Sequence, residues 1–291
     1  PVVFGLYWAL SRRLRLQNAL VVASSYLFYG WWDVRFLTLI AFTTICSYIS
    51  GLLIDRFDGY RVKQKWVSGI NIAINLGILG SFKYYDFFAG SMSQLLASVG
   101  IEAGFVTLNI VLPVGISFYT FQALSYSIDV YRGNIKATRD LLAFTAFISF
   151  FPQLVAGPIE RATNLLPQFL RERHFDYVKA VDGMRQILWG LFKKIVVADG
   201  CAVAVDKVFG DYGAYDSATL ALGAVLFAMQ IYGDFSGYSD IAIGTARLFG
   251  INLMRNFRFP YFSRDIAEFW RRWHMSLSRW LKSYLYIPLG G

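Results

Sequence analysis

The segment FWRRWHMSLSRW, residues 269–280, sets one of the chain's two histidines among three tryptophans, three arginines and two serines. A neutral imidazole can accept a proton from a hydroxyl near pH 7. A neighbouring guanidinium can hold a phosphate or stabilise an oxyanion. At helical spacing Arg271, His274, Ser278 and Lys282 fall at i, i+3, i+7 and i+11, a polar stripe. Phe269, Trp273, Leu277, Trp280 and Tyr284 form an aromatic face beside it. A histidine on such a helix is, taken alone, more often a hydrogen-bonded structural group. The aligned Arg, Ser and Lys inside an apolar stretch turn the balance toward chemistry. His274 is therefore the candidate acid–base group. Arg271, Arg272 and Ser278 are the candidate substrate-holding groups, with an arginine suited to a phosphate.

A second constellation is YGDFSGYSDIAIG, residues 232–244. It spaces Asp234 and Asp240 six apart, with Ser236, Tyr238 and Ser239 between them. Asp, Ser and Gly in this mixture read first as caps at a loop-to-helix junction. The functional alternative is that these groups line a polar tunnel, because polar residues at membrane depth usually face a cavity. No G-x-S-x-G elbow is present, so Ser236 is not expected to be a nucleophile. His174, in RERHFDY, sits in a charged loop and reads as solvated. Cys46 and Cys201 lie in apolar surroundings and read as small buried hydrophobes. There is no CxxC pair, disulfide framework or Cys/His metal spacing, so no metal is expected.

The elements that must position these groups belong to a membrane protein. Of 291 residues 56% are hydrophobic and 16% charged, against about 25% charged in an ordinary soluble chain. A soluble domain would have to expose much of that apolar surface. The formal charge of +9 comes in short basic blocks between apolar stretches, as in cytoplasmic loops. Without an aromatic-plus-basic module, nucleic acid is not an expected partner. The lipid bilayer is.

Residues 2–10 read as the tail of a span. Residues 19–54 read as two helices joined at Gly30, with Asp33 capping the second and Trp31 and Trp32 at the interface. The basic blocks 11–18 and 55–65 bracket this hairpin, so both are expected in the cytoplasm and the GWWD turn outside. Residues 66–99 would span about 51 Å as one straight helix, or break near Gly80. Residues 105–128 read as a span bent at Pro113 and Gly115. The stretch around FFPQLVAGPIER is broken or re-entrant, which is tolerated only under cover of protein or a cavity. Residues 185–205 are apolar but carry Lys193 and Lys194. Residues 219–250 read as a pair of shorter apolar stretches, and 260–291 as amphipathic and aromatic. The chain opens at Pro1 and stops at IPLGG, so both ends read as cut. Residues 1–291 form one membrane-embedded domain with no internal repeat and no second soluble domain.

These motifs also carry a resemblance. LPVGISFYTFQALSYSIDVYRG (112–133), FFPQLVAGPIER (150–161), YGDFSGYSDIAIGTARLFGI (232–251), NFRFPYFSRDIAEFWRRWHMSLSRWL (256–281) and YLYIPLGG (284–291) resemble the membrane-bound O-acyltransferases, in particular the bacterial alginate O-acetyltransferase type. The resemblance implies an all-α, polytopic, multi-pass enzyme of the bacterial inner membrane with broken or re-entrant helices around a central tunnel. It implies acetyl-CoA as donor substrate with no bound cofactor, an exported polysaccharide as acceptor (alginate first) and a periplasmic acetyltransferase partner. Peptidoglycan or another exopolysaccharide is the alternative acceptor. A transporter or flippase is the alternative class, since intramembrane charge and broken helices occur there too. His274 matches the family's WHxSLS histidine. A second histidine, in a His-Gly segment, is expected further on, and His174 does not match it. The branch usually has Arg-Asp where Lys282 and Ser283 stand.

Overall fold

The computed structural model describes residues 1–100, 112–155 and 157–291, and every regular element among them is helical. Helix α1 (Val2–Ala9) leads through a basic turn into α2 (Leu14–Gly30), and α3 (Arg35–Arg56) follows the Trp31–Trp32 turn. The expected cap, Asp33, is not the N-cap of α3. That place is held by Val34, without a side-chain cap bond; Asp33 stands one residue earlier, and its Oδ1 accepts from the Arg35 amide at 2.8 Å. Trp31 and Trp32 are 87% and 71% exposed. Helix α4 (Arg61–Ser98) runs 38 residues, about 57 Å at the standard rise, with no break at Gly80. A Cβ at Gly80 would meet nothing within 4 Å, so no neighbour forces a bend.

Helix α5 (Ile116–Arg132) starts beyond Gly115 rather than bending there. Gly115 has φ +76°, and a Cβ on it would lie 2.2 Å from the Leu154 carbonyl oxygen, so only glycine fits. Residues 105–111 of the expected span lie outside the described residues. Buried along most of its length, α5 is the central helix; Gly51 of α3 leaves room for its Tyr126 ring. The next stretch is broken as expected, into α6 (Leu141–Ser149), α7 (Phe151–Leu154) and α8 (Ala162–Phe169). Asp140 caps α6 on the Ala143 amide. Pro152 lacks the N–H that would carry α6 onward.

Helix α9 (Tyr177–Leu191) passes through a π-helical turn (Phe192–Ala198) into α10 (Asp199–Gly210). Helix α11 (Ser217–Leu248) is then one helix of 32 residues, not the expected pair of shorter stretches. Its glycines do not interrupt it. They are contact points: a Cβ at Gly244 would lie 2.5 Å from the Gly183 oxygen, and one at Gly190 2.6 Å from the Gly237 oxygen. Small residues let two membrane helices approach backbone to backbone. This corrects the capping reading of residues 232–244. The cap of α11 is Asp216, on the Thr219 amide. Helices α12 (Ile266–Arg272) and α13 (Met275–Leu281) close the chain with a π-helical turn (Lys282–Tyr286).

The packing is that of a membrane protein. Polar side chains are buried between α3, α4 and α5: Ser47 donates to Asn71 at 3.3 Å, and Ser50 meets Ser127 at 3.2 Å. Large apolar side chains face outward, among them Trp66, Phe87 and Phe88, each at least 65% exposed. Such a surface suits hydrocarbon and would be a liability in water. Helices α3 and α11 are long and apolar enough to cross a bilayer. Contacts gather the basic segments at one end. Arg61 donates to the Tyr131 oxygen at 3.0 Å and Tyr48 to the Arg139 oxygen at 2.8 Å. The Trp31–Trp32 turn is at the other.

Candidate active site

Residues 266–281 do not form the single amphipathic helix that the spacing predicts. Trp273 is extended (φ −98°, ψ 130°) and His274 is left-handed (φ 41°, ψ 53°). A neighbouring segment causes the break. The Arg258 amide donates to the Arg272 oxygen at 3.0 Å, and the Met275 amide to the Asn256 oxygen at 2.8 Å. A continuous helix would need both groups for its own ladder. A non-glycine residue in the left-handed region costs about 1–3 kcal/mol and persists only where its surroundings impose it.

The break splits the polar stripe. His274 turns toward α11, where its ring meets the Phe235 ring edge to face at 4.7 Å and 83°. Its Nε2 is buried and has no hydrogen-bond partner among the described residues. Ser278 is one turn along α13, its amide donating to the His274 oxygen at 3.1 Å. The aromatic face is split too. Phe269 and Trp273 stack at 5.4 Å beside Phe257 and Tyr261. Leu277, Trp280 and Tyr284 pack on α5 instead, with Trp280 donating to the Phe121 oxygen and Tyr284 to Asp129. Ser283 accepts from Arg161 at 2.9 Å, and its carbonyl accepts from Arg132 at 3.0 Å.

Arg271 and Arg272 face the other way, into a cleft of about 420 Å³ lined also by Arg258, Arg264, Arg279, Glu268 and Met275. Glu268 pairs with Arg264 and Arg272. The Arg264 amide and guanidinium hold its carboxyl below the usual range. Arg258, Arg271 and Arg279 have no ion-pair partner among the described residues. The cleft thus concentrates positive charge in guanidinium forks whose geometry matches phosphate oxygens.

The 232–244 constellation scatters around α11. Asp234 pairs with Lys194 at 2.8 Å, and Asp240 pairs with Lys193 and accepts from Gln186. Ser236 is buried one helical turn after Tyr232. Tyr238 lines an apolar cavity of about 960 Å³ with Trp31, Trp32, Phe151, Gly157 and Ile241. The cavity and the basic cleft share no lining residue. His174 is exposed, as expected, and both cysteines are free and half-buried.

Sequence reasoning missed Arg258, Arg264 and Glu268 as parts of the cleft, and Asn256 as the acceptor that breaks the helix. All four lie in the motif 256–281 or its first turn, but only tertiary contact gives them a role. It also missed Phe235 beneath His274, and the lysine partners of Asp234 and Asp240. The spacing of Lys193 and Lys194 carries a weak signal for the latter, because two lysines inside an apolar stretch need acids nearby.

Comparison with known proteins agrees with this picture. The chain is 44% identical, over its full length, to the probable alginate O-acetylase AlgI of Pseudomonas putida and covers 59% of that protein. It is 35% identical to the peptidoglycan O-acetyltransferase of Helicobacter pylori, over 93% of this chain and 55% of that one. A teichoic acid D-alanyltransferase of Bacillus subtilis is 29% identical over 62% of the chain, which covers 46% of it. The chain therefore spans about half the length of these relatives. The family model for the membrane-bound O-acyltransferases matches residues 26–291. With that match over nearly the whole helical bundle, the chain belongs to the membrane-bound O-acyltransferase family.

Proposed function

We propose that this chain carries part of the reaction centre of an O-acetyltransferase of the bacterial inner membrane. It takes acetyl from cytoplasmic acetyl-CoA and passes it outward for O-acetylation of an exported polysaccharide. Alginate is the first choice of acceptor because the full-length similarity is to alginate O-acetylases. Peptidoglycan is the second, from the lower similarity to its O-acetyltransferase. A periplasmic acetyltransferase completes the transfer to polymer.

The observation that carries this reading is His274. Its backbone is strained, its Nε2 is buried and unpartnered, and a cleft of five arginines lies on the opposite side of the same short hairpin. In the proposed chemistry a hydroxyl attacks the thioester carbonyl. Nε2 takes the hydroxyl proton, the C–O bond forms, the C–S bond breaks, and the thiol leaves with a proton. Arg271 and Arg272, with their cleft neighbours, hold the donor's phosphates. The apolar cavity beside Tyr238 forms the outward half of the route, and motion around α11 joins the two halves into a tunnel. A transporter or flippase reading has no such use for a strained, unpartnered imidazole.

The test is polymer acetyl content in cells carrying variants at equal membrane levels. His274→Ala should lower it by roughly 10²-fold, the scale of a lost acid–base group. His274→Gln should recover part of that if hydrogen bonding contributes. Wild-type acetyl content in His274→Ala overturns the assignment.

A further inference from the structure

Residues 252–259 run without regular structure between α11 and α12, and Asn256 sits in the middle of them, 1% exposed. Every hydrogen-bonding group of its side chain is engaged. Its Oδ1 accepts from the Ser276 hydroxyl at 2.5 Å. Its Nδ2 donates to the Ser239 hydroxyl at 3.0 Å. Ser276 in turn accepts from the Ile159 amide at 3.0 Å. The Asn256 carbonyl also takes the Met275 amide, the bond that helps to break the helix at His274. Ser276 and Ser239 are each 2% exposed, so water does not compete for these bonds.

The arrangement has a particular register. Ser276 lies two residues after His274. Ser239 lies one helical turn after Phe235, whose ring supports the imidazole. Asn256 therefore spans the same gap that separates His274 from Phe235, one turn away. A carboxamide suits this place because it offers one acceptor and one donor in a fixed plane. A buried polar network that is fully satisfied rigidifies what it joins.

We propose that Asn256 is the positioning residue for His274: through Ser276 and Ser239 it clamps the α12–α13 break onto α11 and so fixes the imidazole against Phe235 with Nε2 unengaged. The proposal rests on the reading of His274 as the acid–base group, and its test separates the two. Displacing a catalytic group by about 1 Å costs on the order of 10²-fold, so Asn256→Ala should lower polymer acetyl content at least about tenfold. Donor affinity should stay within about twofold, because Asn256 is not part of the arginine cleft.

The discriminating measurement is covalent modification of the purified full-length protein with diethylpyrocarbonate, followed by site-resolved mass spectrometry. His174, exposed and distant in the chain, is the internal reference. Asn256→Ala should raise the modification rate of His274 about fivefold or more as the ring is released, with His174 unchanged. His174, already exposed, corrects for reagent dose, and a melting temperature in detergent close to that of the wild type excludes a general loss of structure. If Asn256→Ala does not accumulate, Ser239→Ala removes only the Nδ2 bond and takes its place, with the same expected directions. An unchanged His274 rate in a variant that accumulates overturns the positioning role. Wild-type acetylation in His274→Ala instead overturns the acid–base reading, and the modification rates remain interpretable without it.

Discussion

Charge reversal of effect at the arginine cleft is the sharpest consequence of its geometry. Two substitutions should act in opposite directions. Arg271→Gln with Arg272→Gln removes two positive charges from the wall of the cleft. Glu268→Gln removes its one negative charge and leaves an acceptor for the Arg264 amide, which is 2.9 Å away. Two unit charges 4 Å apart interact by about 4 kcal/mol at an effective dielectric of 20 and about 1 kcal/mol in bulk water. Arg271 is exposed and Arg272 half-buried, so the cleft lies toward the watery limit. The double variant should then lose about 2–3 kcal/mol of binding to the donor's phosphates, roughly 30- to 150-fold in Kd. Glu268→Gln releases Arg264 and Arg272 from their ion pairs and should tighten binding, on the order of three- to tenfold. Both effects should shrink between 50 mM and 500 mM salt as screening shortens. The assay is equilibrium binding of acetyl-CoA to purified protein in detergent. If Glu268→Gln weakens binding, the carboxylate is not a brake on an anion site. If the double arginine variant binds as wild type, the donor's phosphates lie elsewhere.

Three further outcomes follow from the fold. Gly244→Ala should destabilise the protein by about 1–3 kcal/mol, because its Cβ would press on the Gly183 carbonyl; Gly77→Ala, facing open space on α4, should be neutral or stabilising, and equal melting temperatures in detergent would refute the α9–α11 contact. His274→Gly should be more stable than His274→Ala by about 1 kcal/mol, because glycine relieves the left-handed strain; equal unfolding midpoints would deny the strain. Single cysteines replacing Ser11 and Trp31, in a background lacking Cys46 and Cys201, should label from opposite sides of the membrane; labelling from the same side would invert the expected topology.

What the residues revealed by themselves was polarity and period. The hairpin at Gly30 and the broken stretch around Pro152 follow from local rules. The errors share a cause. Gly233, Gly237 and Gly244 look like turn residues, yet their missing side chains serve a neighbouring helix, and a helix–helix contact leaves no local mark. The break at His274 is the reverse case. Neither proline nor glycine stands at 273–274, so local rules predict a continuous helix. Two backbone bonds from Asn256 and Arg258, contributed by a segment outside the helix, overrule them. The arginines could be picked out by type, but their sharing of one cleft could not, since Arg258 and Arg264 reach it from outside the WHMSLS stretch.

The break also explains how one short segment can serve two chemistries. On an unbroken helix Arg271, His274 and Ser278 would share one edge, and a bound polyanion would sit directly on the imidazole. Cations beside a histidine disfavour its protonated form, and a phosphate against it favours that form. Either would interfere with the proton transfer proposed for His274. Turning the backbone through the left-handed region at His274 separates the two. The guanidinium groups face the cleft, and the ring faces Phe235 on α11. Helix α11 is a suitable support because another of its faces is fixed by glycine contacts to α9 and a third lines the apolar cavity. Movement of that one helix would reach the ring, the cavity wall and the ion pairs of Lys193 and Lys194 together. The strain at His274 is the structural cost of this separation, and it falls on the residue whose side chain gains a free, buried nitrogen by it.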